Sequence, residues 1–202
     1  MFDTADIQVV KPDMYPDSLQ VMSKLPHKLY AVGNVDLLYS DCVSVAGSRK
    51  IDGYSTVWLR KMIDQCPNHT IVSGLALGAD AVAHRAALKW GMPTIAVLPS
   101  GVNRITPKQH WKLVNAIIRS GGLLLSEYRP EAYARRDTYV ARNEIIAALG
   151  KLLIMPQCDN PSGTMHTVNY CKDFGKTIIV KDNDYDGNRC IIDSGDYTAI
   201  IK

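Results

Sequence analysis

Short apolar segments that end in small residues recur along this chain, and helical stretches alternate with them. The strand-like segments are predicted at residues 42–46, 70–73, 94–98, 122–125, 151–155 and 176–180. Helices are predicted at residues 54–65, 78–90, 108–119, 141–149 and 163–174. Continuous apolar strands that alternate with amphipathic helices are typical of a parallel sheet covered on both faces. The pattern therefore predicts an α/β fold with an open, mainly parallel sheet.

The part of the chain ahead of this alternation is less regular. Residues 1–14 show no clear period, residues 17–23 are predicted as a short helix, and residues 29–34 as a short strand. No Pro/Gly/Ser-rich linker divides the 202 residues, and one further apolar pair, Ile191-Ile192, follows the last predicted strand. We therefore expect one domain at residues 41–202, with residues 1–40 as an N-terminal extension packed on it.

The composition favours the cytoplasm. Apolar runs such as residues 145–149 are too short to span a bilayer, and the acidic N-terminus has no apolar signal region. The five cysteines are scattered and never have C-x-x-C spacing, which argues against a zinc site and a disulfide framework. We expect a cytoplasmic protein without a membrane segment, a metal or a cofactor.

The net charge of +3 permits a polyanionic partner without requiring one. The placement of the cations is more informative, because most of them fall in predicted loops that follow strands. They are Arg49, Lys50, Arg104, Lys108, Arg129, Arg135, Arg136 and Arg142. Charges in loops are often plain solvated surface, so their placement supports anion binding without requiring it.

The first predicted strand of the alternation ends in Gly47-Ser48-Arg49, followed by Lys50. Glycine allows close backbone approach, serine offers a hydroxyl, and arginine is a forked cation suited to phosphate. The next helix offers unpaired N–H groups and a positive dipole end to an anion. A Gly-Ser turn also closes many strands that bind nothing, so the turn alone leaves both interpretations open.

Later turns share these small residues. Ser73-Gly74 ends the second strand and Gly78 opens the next helix, where N–H groups can hold a phosphate or ribose. Asp80 complements the dipole of that helix or holds His84 one turn later. A helix histidine of this kind is more often structural than catalytic.

The third and fourth predicted strands also end in polar turns. Gly101 and then Arg104 follow the third strand, and Glu127 ends the fourth, where a carboxylate can act as a general base or accept from a hydroxyl. No second carboxylate pairs with Glu127 in the sequence, so an acid/base dyad is unsupported. No G-x-S-x-G nucleophile elbow is present either.

Two further groups of polar residues lie at predicted helix starts. Arg142-Asn143 can bond a base edge or a phosphate, or can clasp neighbouring loops. Ser162-Gly163-Thr164 forms another phosphate cradle at the start of the helix predicted at residues 163–174. The chain has no G-x-x-x-x-G-K-[ST] and no strict G-x-G-x-x-G, so a P-loop ATPase is excluded and dinucleotide redox chemistry has little support.

Together these turns resemble the DprA/Smf family of DNA-processing proteins. The matching stretches are residues 47–49, 73–80, 83–88, 94–98, 101, 122–128, 142–147 and 162–164, in the family's order. The segment from Tyr15-Pro16 to Gly33-Asn34, which precedes these stretches, also follows the family's pattern. The resemblance therefore covers residues 15–199.

The resemblance implies a Rossmann-like domain that binds single-stranded DNA in a basic pocket at the carboxyl ends of the strands. It also implies a homodimer that hands DNA to a RecA-type recombinase during natural transformation or recombination, without catalytic turnover. Carried onto this chain, the pocket is expected to include Gly47, Ser48, Arg49, Arg142, Asn143, Ser162, Gly163 and Thr164. We expect Lys50, Ser73, Gly74, Gly78, Gly101, Arg104 and Glu127 to contribute around it.

Three tyrosines are candidate platforms for base stacking, with a core or hydroxyl-bonded role as the alternative: Tyr54, Tyr128 and Tyr139.

The assignment of two arginines to the ligand also predicts the effect of replacing them by alanine. Arg49→Ala and Arg142→Ala should each weaken DNA binding and leave thermal stability nearly unchanged, because both side chains are assigned to the ligand.

The chain departs from the family pattern around this pocket. Val140 and Glu144 stand where the family usually has a proline and a second arginine, and the charge reversal is expected to weaken a phosphate pocket. Gln157 lies where the fifth strand usually ends in an acidic residue, and Lys181-Asp182 replaces a Pro-Gly. These departures weaken the expectation of contact with a specific recombinase partner.

Two rival functions use the same fold. A phosphoribohydrolase similar to the lysine-decarboxylase-like enzymes needs a glutamate behind its Gly-Thr turn, and residues 160–167 contain none. A nucleotide sensor could use the same cradle for one mononucleotide. Oligonucleotide length discriminates the rivals, because a strand binder gains affinity with length and a sensor does not.

Overall fold

The computed structural model describes residues 1–201 and contains a nine-stranded sheet with helices on both faces. The strands are β1 (Gln8–Val10), β2 (Leu29–Gly33), β3 (Cys42–Val45), β4 (Thr70–Ser73), β5 (Thr94–Val97), β6 (Leu123–Ser126), β7 (Leu152–Met155), β8 (Thr177–Lys181) and β9 (Ala199–Ile201). The α-helices are α1 (Gly53–Asp64), α2 (Ala79–Lys89), α3 (Trp111–Arg119), α4 (Arg136–Leu149), α5 (Gly163–Asp173) and α6 (Asp186–Ser194). The predicted α/β fold is confirmed.

The strand order determines where a ligand site can form. The order across the sheet is β1-β2-β6-β5-β4-β3-β7-β8-β9, and the strands from β3 to β9 run parallel. The chain proceeds from β3 towards β6 in one direction and then returns to place β7 on the other side of β3. Ligands of open α/β sheets bind at the carboxyl ends of the strands where the order reverses. In this fold that position lies between β3 and β7.

The two faces of the sheet bury separate sets of apolar side chains. On one face, Trp58 and Leu59 of α1 and Ala83 of α2 pack on Val43 and Val45. The opposite face is covered by α4, α5 and α6, whose packing includes Ala147, Val168 and Ile191 against Leu153, Met155 and Ile178. Because side chains alternate along a strand, β3 contributes valines to one face and Ser44 to the other, where Ser44 Oγ donates to the Ile146 carbonyl at 2.6 Å.

The N-terminal residues extend the same sheet. β2 pairs antiparallel with β6, with Tyr30 opposite Ser126, and β1 pairs antiparallel with β2. The helix predicted at residues 17–23 is a 3₁₀-helix at Asp17–Val21, and its Leu19 is fully buried in the core. β1 was not predicted, because a strand of three residues carries too little periodicity to be recognised.

The helix predicted at residues 141–149 begins earlier, at Arg136. A reciprocal cap causes this, since the Arg135 amide donates to Thr138 Oγ1 at 2.9 Å and that hydroxyl donates to the Arg135 carbonyl at 2.8 Å. Arg142 and Asn143 consequently lie inside α4 and not at its start. The helix predicted at residues 108–119 is a 3₁₀ turn at Lys108–His110 followed by α3.

At the other end of the sheet, the apolar pair Ile191-Ile192 lies in α6, and the short strand β9 after it was not predicted. None of the helices within residues 1–201 has the length and apolarity needed to cross a membrane. The five cysteines are free thiols, and Cys42, Cys158 and Cys171 are buried in the core.

Candidate functional site

A cavity of about 550 Å³ opens at the carboxyl ends of β3 and β7, where the strand order reverses. The loop after β3, the middle of α4 and the start of α5 form its walls. The sequence-predicted residues that line it are Gly47, Ser48, Arg49, Lys50, Arg142, Asn143, Ser162, Gly163 and Thr164. The fold therefore gathers residues more than a hundred positions apart into one concave surface.

Close backbone contacts hold the loop after β3 in place. The Ser48 amide donates to the Gln157 carbonyl at 2.7 Å, and the Ala79 amide donates to the Ser48 carbonyl at 3.0 Å. Gly78 has a φ of +72° and lies so close that a Cβ there would overlap the Ser48 and Arg49 carbonyls. Gly78 thus packs against the loop after β3 and does not itself line the cavity.

Gln157 organises the same loop through its side chain. It is buried, its Oε1 accepts from the Asp52 amide at 2.8 Å, and its Nε2 donates to the Lys50 carbonyl at 3.3 Å. An acidic side chain could not donate the second of these bonds. The departure at Gln157 therefore has a structural role in this chain.

Asp52 is a supporting residue that the sequence analysis did not single out. Its carboxylate caps α1 by accepting from the Ser55 amide at 2.6 Å, and it also accepts from the Tyr185 hydroxyl at 2.9 Å. The Ser55 amide hydrogen bond holds the pKa of Asp52 below its usual range. An aspartate directly ahead of a helical stretch is the signal that could have identified this cap.

The mouth of the cavity carries an exposed cation beside an aromatic ring. The Arg49 guanidinium lies 5.3 Å from the centroid of the Tyr139 ring, and both residues line the cavity. Of the three tyrosines predicted as stacking platforms, only Tyr139 lines it; Tyr54 is 85% exposed on α1, and Tyr128 is half-buried. Arg49 and Tyr139 together can hold a phosphate and an adjoining flat ring.

Arg142 forms the base of the cavity and is only 5% exposed. Its Nη1 donates to the Val97 carbonyl at 2.9 Å, and a Cβ at Gly74 would overlap the guanidinium. Burial lowers the pKa of Arg142, and the nearby Asp80 carboxylate opposes that shift. Arg142 is therefore a clasp between α4 and the ends of β4 and β5, which corrects the expectation that its removal leaves stability unchanged.

Asp80 is buried beneath the same guanidinium. Its Oδ2 accepts from the Ala76 amide at 3.1 Å. Burial raises the pKa of Asp80, and the positive charge of Arg142 opposes the rise. The Asp80 carboxylate and the Arg142 guanidinium therefore each oppose the pKa shift that burial imposes on the other.

The start of α5 provides the remaining wall. Asn143 Nδ2 donates to the Gly163 carbonyl at 3.0 Å and so joins α4 to α5. Ser162 Oγ lies 3.1 Å from the buried Cys158 Sγ, and a Cβ on Gly163 would meet no atom within 4 Å. The first turn of α5 is therefore open to the cavity, where its N–H groups favour an anion.

Several predicted site residues lie outside this cavity. Ser73 is buried with its hydroxyl donating to the Val45 carbonyl at 2.8 Å, and Gly101 packs against the backbone of residues 129–130. Arg104 forms an ion pair with Glu131 at 3.1 Å and stacks on Tyr133 at 4.7 Å. These residues shape loops at the same edge of the sheet without lining the cavity.

Glu127 also lies apart from the cavity, and it is half-buried. Burial raises its pKa, and the neighbouring Glu144 carboxylate adds to the rise. Neither Val140 nor Glu144 is among the described residues that line the cavity. Glu144 therefore raises the pKa of Glu127 and lies outside the lining of the cavity, and the expected weakening of the phosphate pocket stays a prediction.

His84 has a structural role. Thr94 Oγ1 donates its only proton to the Ile71 carbonyl at 2.6 Å, so the 2.8 Å contact between His84 Nδ1 and Thr94 Oγ1 requires the ring nitrogen to donate. Burial lowers the pKa of His84 to about 3, which keeps the ring neutral. His84 pairs with Thr94 and not with Asp80, and it does not line the cavity.

Comparisons with known proteins agree with this architecture. The sequence profile of the family described as DNA recombination-mediator protein A matches residues 6–197. The chain is 32% identical to Protein Smf of Escherichia coli over 169 residues, which is 83% of this chain and 45% of that protein. It is 36% identical to DNA processing protein DprA of Streptococcus pneumoniae over 83% of this chain and 59% of that protein.

Solved structures of two such proteins have the same fold. The Streptococcus pneumoniae structure superposes with a TM-score of 0.89 at 31% identity, covering 96% of this chain and 71% of the other. DNA processing protein A from Helicobacter pylori, whose single-stranded DNA binding mode has been described structurally, has a TM-score of 0.88 at 28% identity, covering 96% and 90%. The chain spans about half the length of the curated relatives that it matches, from 45% to 59% for the first three.

Proposed function

The chain belongs to the DNA recombination-mediator protein A family, and we propose that it binds single-stranded DNA in the cavity between β3 and β7. The relative from Helicobacter pylori binds single-stranded DNA, and its fold covers 96% of this chain. The observation that carries the proposal is the placement of exposed Arg49 over Tyr139, beside the open first turn of α5.

The chemistry of the cavity suits a strand of nucleotides. Arg49 and Lys50 are exposed and can neutralise phosphates, and the α5 N–H groups can position one. The Tyr139 ring can stack with a base in any sequence, because every base has a π-face. Arg142 and Gln157 support this surface from below by fixing α4 and the Arg49 loop.

We propose that the protein acts by binding and not by catalysis. Two carboxylates line the cavity in the described part of the chain, and one of them, Asp80, is buried near the charge of Arg142. Asp159 is exposed and has no second carboxylate beside it in the cavity wall. A hydrolase of the phosphoribohydrolase type needs a positioned general base, and this cavity provides no such group.

We further propose that the protein works as a homodimer in the cytoplasm and passes its strand to a RecA-type recombinase in natural transformation or recombination. Membership of the recombination-mediator family supports this proposal. Analytical ultracentrifugation tests the homodimer. Recombinase loading onto a strand coated with single-strand-binding protein tests the transfer, and loading that is not accelerated would contradict it.

Fluorescence anisotropy of a labelled oligo(dT) tests the binding function. Affinity should rise with strand length from about 6 to about 30 nucleotides and should fall as salt increases. Duplex DNA and thymidine monophosphate serve as competitors. Equal competition by the mononucleotide would favour the sensor alternative and contradict strand binding.

A further inference from the structure

A second concave surface lies between α1 and α2, and we call it the α1–α2 groove. It has a volume of about 420 Å³ and shares no lining residue with the cavity. Apart from Val57, its lining residues come from the second halves of both helices, so it lies towards the amino ends of the strands. Val57 of α1 and Trp90, which follows α2, line the groove and remain 52% and 48% exposed. Ala86 of α2 also lines the groove.

The rim of the groove is strongly cationic. Arg60 and Lys61 of α1 face Arg85 and Lys89 of α2 across it, and Asp64 is the one carboxylate in its lining. Among residues 1–201, none of these four cations has a carboxylate oxygen within 4 Å. The molecule therefore leaves an excess of positive charge around an exposed apolar floor.

We propose that the α1–α2 groove docks an acidic, amphipathic peptide segment of a partner protein, with an apolar side chain inserted against Val57 and Trp90. Long cationic side chains cover apolar surface with their methylene stems and keep their charges at the rim. A partner segment with carboxylates beside an apolar anchor complements both features at once. This docking site is independent of the DNA cavity.

The contacts in the groove favour a peptide over a nucleic acid strand. The DNA cavity has the amino end of α5 to position a phosphate. The groove lies beside the middle and the carboxyl-terminal turns of α1 and α2, so it has no helix amino end for that purpose. Its one aromatic ring, Trp90, is engaged by the Lys89 ammonium 5.0 Å from the ring centroid. The rest of the floor is aliphatic and lies between two helices, which suits a leucine-sized or phenylalanine-sized anchor.

Anisotropy of a fluorescein-labelled peptide tests the proposal. The probe is a helix-forming peptide of about 15 residues, with leucine at every third and fourth position and glutamate elsewhere on its surface. Two companion peptides replace every leucine by serine, or every glutamate by lysine. We expect saturable binding of the first peptide and at least about tenfold weaker binding of both companions, about 1.4 kcal/mol.

Charge-reversal variants locate the binding. Arg60→Glu/Arg85→Glu should weaken the acidic peptide at least about tenfold, while Lys112→Glu/Arg119→Glu on α3, with the same change in net charge, should stay within about twofold. The emission of Trp90 should shift to the blue when the groove fills, and Trp90→Phe should remove that shift while peptide still binds.

Three results with the peptides would overturn the proposal, and a fourth comes from oligo(dT). The first three are the absence of saturable binding, equal binding of the serine companion, and an unaltered peptide affinity in Arg60→Glu/Arg85→Glu. If oligo(dT) affinity falls in Arg60→Glu/Arg85→Glu but not in the α3 control, the groove binds part of the DNA strand and the peptide proposal is wrong. Because Arg49 and the cavity are intact in these variants, this outcome is distinguishable from failure of the DNA cavity itself.

Discussion

Arg142 Nη1 donates a hydrogen bond of 2.9 Å to the carbonyl oxygen of Val97, which joins the middle of α4 to the end of β5 beneath the candidate DNA cavity. The Nη1 group of this guanidinium is therefore engaged by the fold before any ligand arrives. Arg49, at the mouth of the same cavity, is exposed and free to move towards a phosphate. These two arginines lie in one cavity and have different roles.

The first prediction concerns the stability of Arg142→Ala. Removing the guanidinium breaks its hydrogen bond to the Val97 carbonyl and removes the charge that opposes the burial of the Asp80 carboxyl, so we expect the free energy of unfolding to fall by about 2 kcal/mol. Urea denaturation followed by circular dichroism measures this. Arg49→Ala is the matched control and should stay within about 0.5 kcal/mol of the unmodified protein. Equal stability of the two variants would contradict the clasp.

The second prediction concerns Gly74, which lies against the same guanidinium. A Cβ at this position would overlap the Arg142 guanidinium and displace it from the Val97 carbonyl, so Gly74→Ala should be destabilising. In the Arg142→Ala background the space is free, and the same change should cost at least about 1 kcal/mol less. A double-mutant cycle of unfolding free energies measures the difference, and additive effects would show that the overlap is relieved elsewhere.

The third prediction concerns Gln157 and the loop that carries Arg49. Gln157→Ala removes the acceptor for the Asp52 amide and the donor to the Lys50 carbonyl, and we expect a loss of about 1–2 kcal/mol in stability. Hydrogen exchange should show faster exchange of the Asp52 amide, and oligo(dT) should bind more weakly. Unchanged protection of that amide would remove Gln157 from its supporting role.

The fourth prediction concerns pH and His84. The pKa of the buried ring is about 3 in the folded protein and lies near 6.5 in an unfolded chain, so the unfolded state binds the additional proton as pH falls from 6.5 towards 3. Stability should therefore decrease with falling pH in this window, by up to about 1.4 kcal/mol per pH unit from this residue.

His84→Asn is the matched variant for this prediction, because its amide can donate to Thr94 Oγ1 as Nδ1 does and it does not titrate. Unfolding free energies between about pH 6 and about pH 5 should depend less on pH in this variant. A slope equal to that of the unmodified protein would mean that other groups cause the pH dependence.

The sequence carried enough information to place the sheet and the cavity. The apolar runs around Val43, Ile71, Ile95 and Leu153 identify buried parallel strands, and small residues after them mark the ligand edge of such a sheet. β1 and β9 were missed because three-residue strands show no usable period. The early start of α4 was missed because the cap is formed between Arg135 and Thr138, and arginine is not a usual capping residue.

The roles of individual site residues were harder to predict. A sequence shows that Arg142 is a cation near a helix but not that β4 and β5 bury it, because burial depends on contacts distant in the chain. The same limit applies to Glu144, which was expected to weaken a phosphate pocket; it does not line the cavity, and its charge raises the pKa of Glu127. Gln157 and Asp52 support the Arg49 loop through a hydrogen bond between residues 105 positions apart in sequence, and no local pattern reveals such a contact.

The most direct test of the central claim compares oligo(dT) binding by Arg49→Glu and Arg119→Glu. Both changes reverse one exposed arginine, but Arg49 lies at the cavity mouth and Arg119 ends α3 at the opposite edge of the sheet. Anisotropy at low salt should show at least about tenfold weaker binding for Arg49→Glu and a change within about twofold for Arg119→Glu. Equal affinities of the two variants would contradict the assignment of single-stranded DNA to the cavity between β3 and β7.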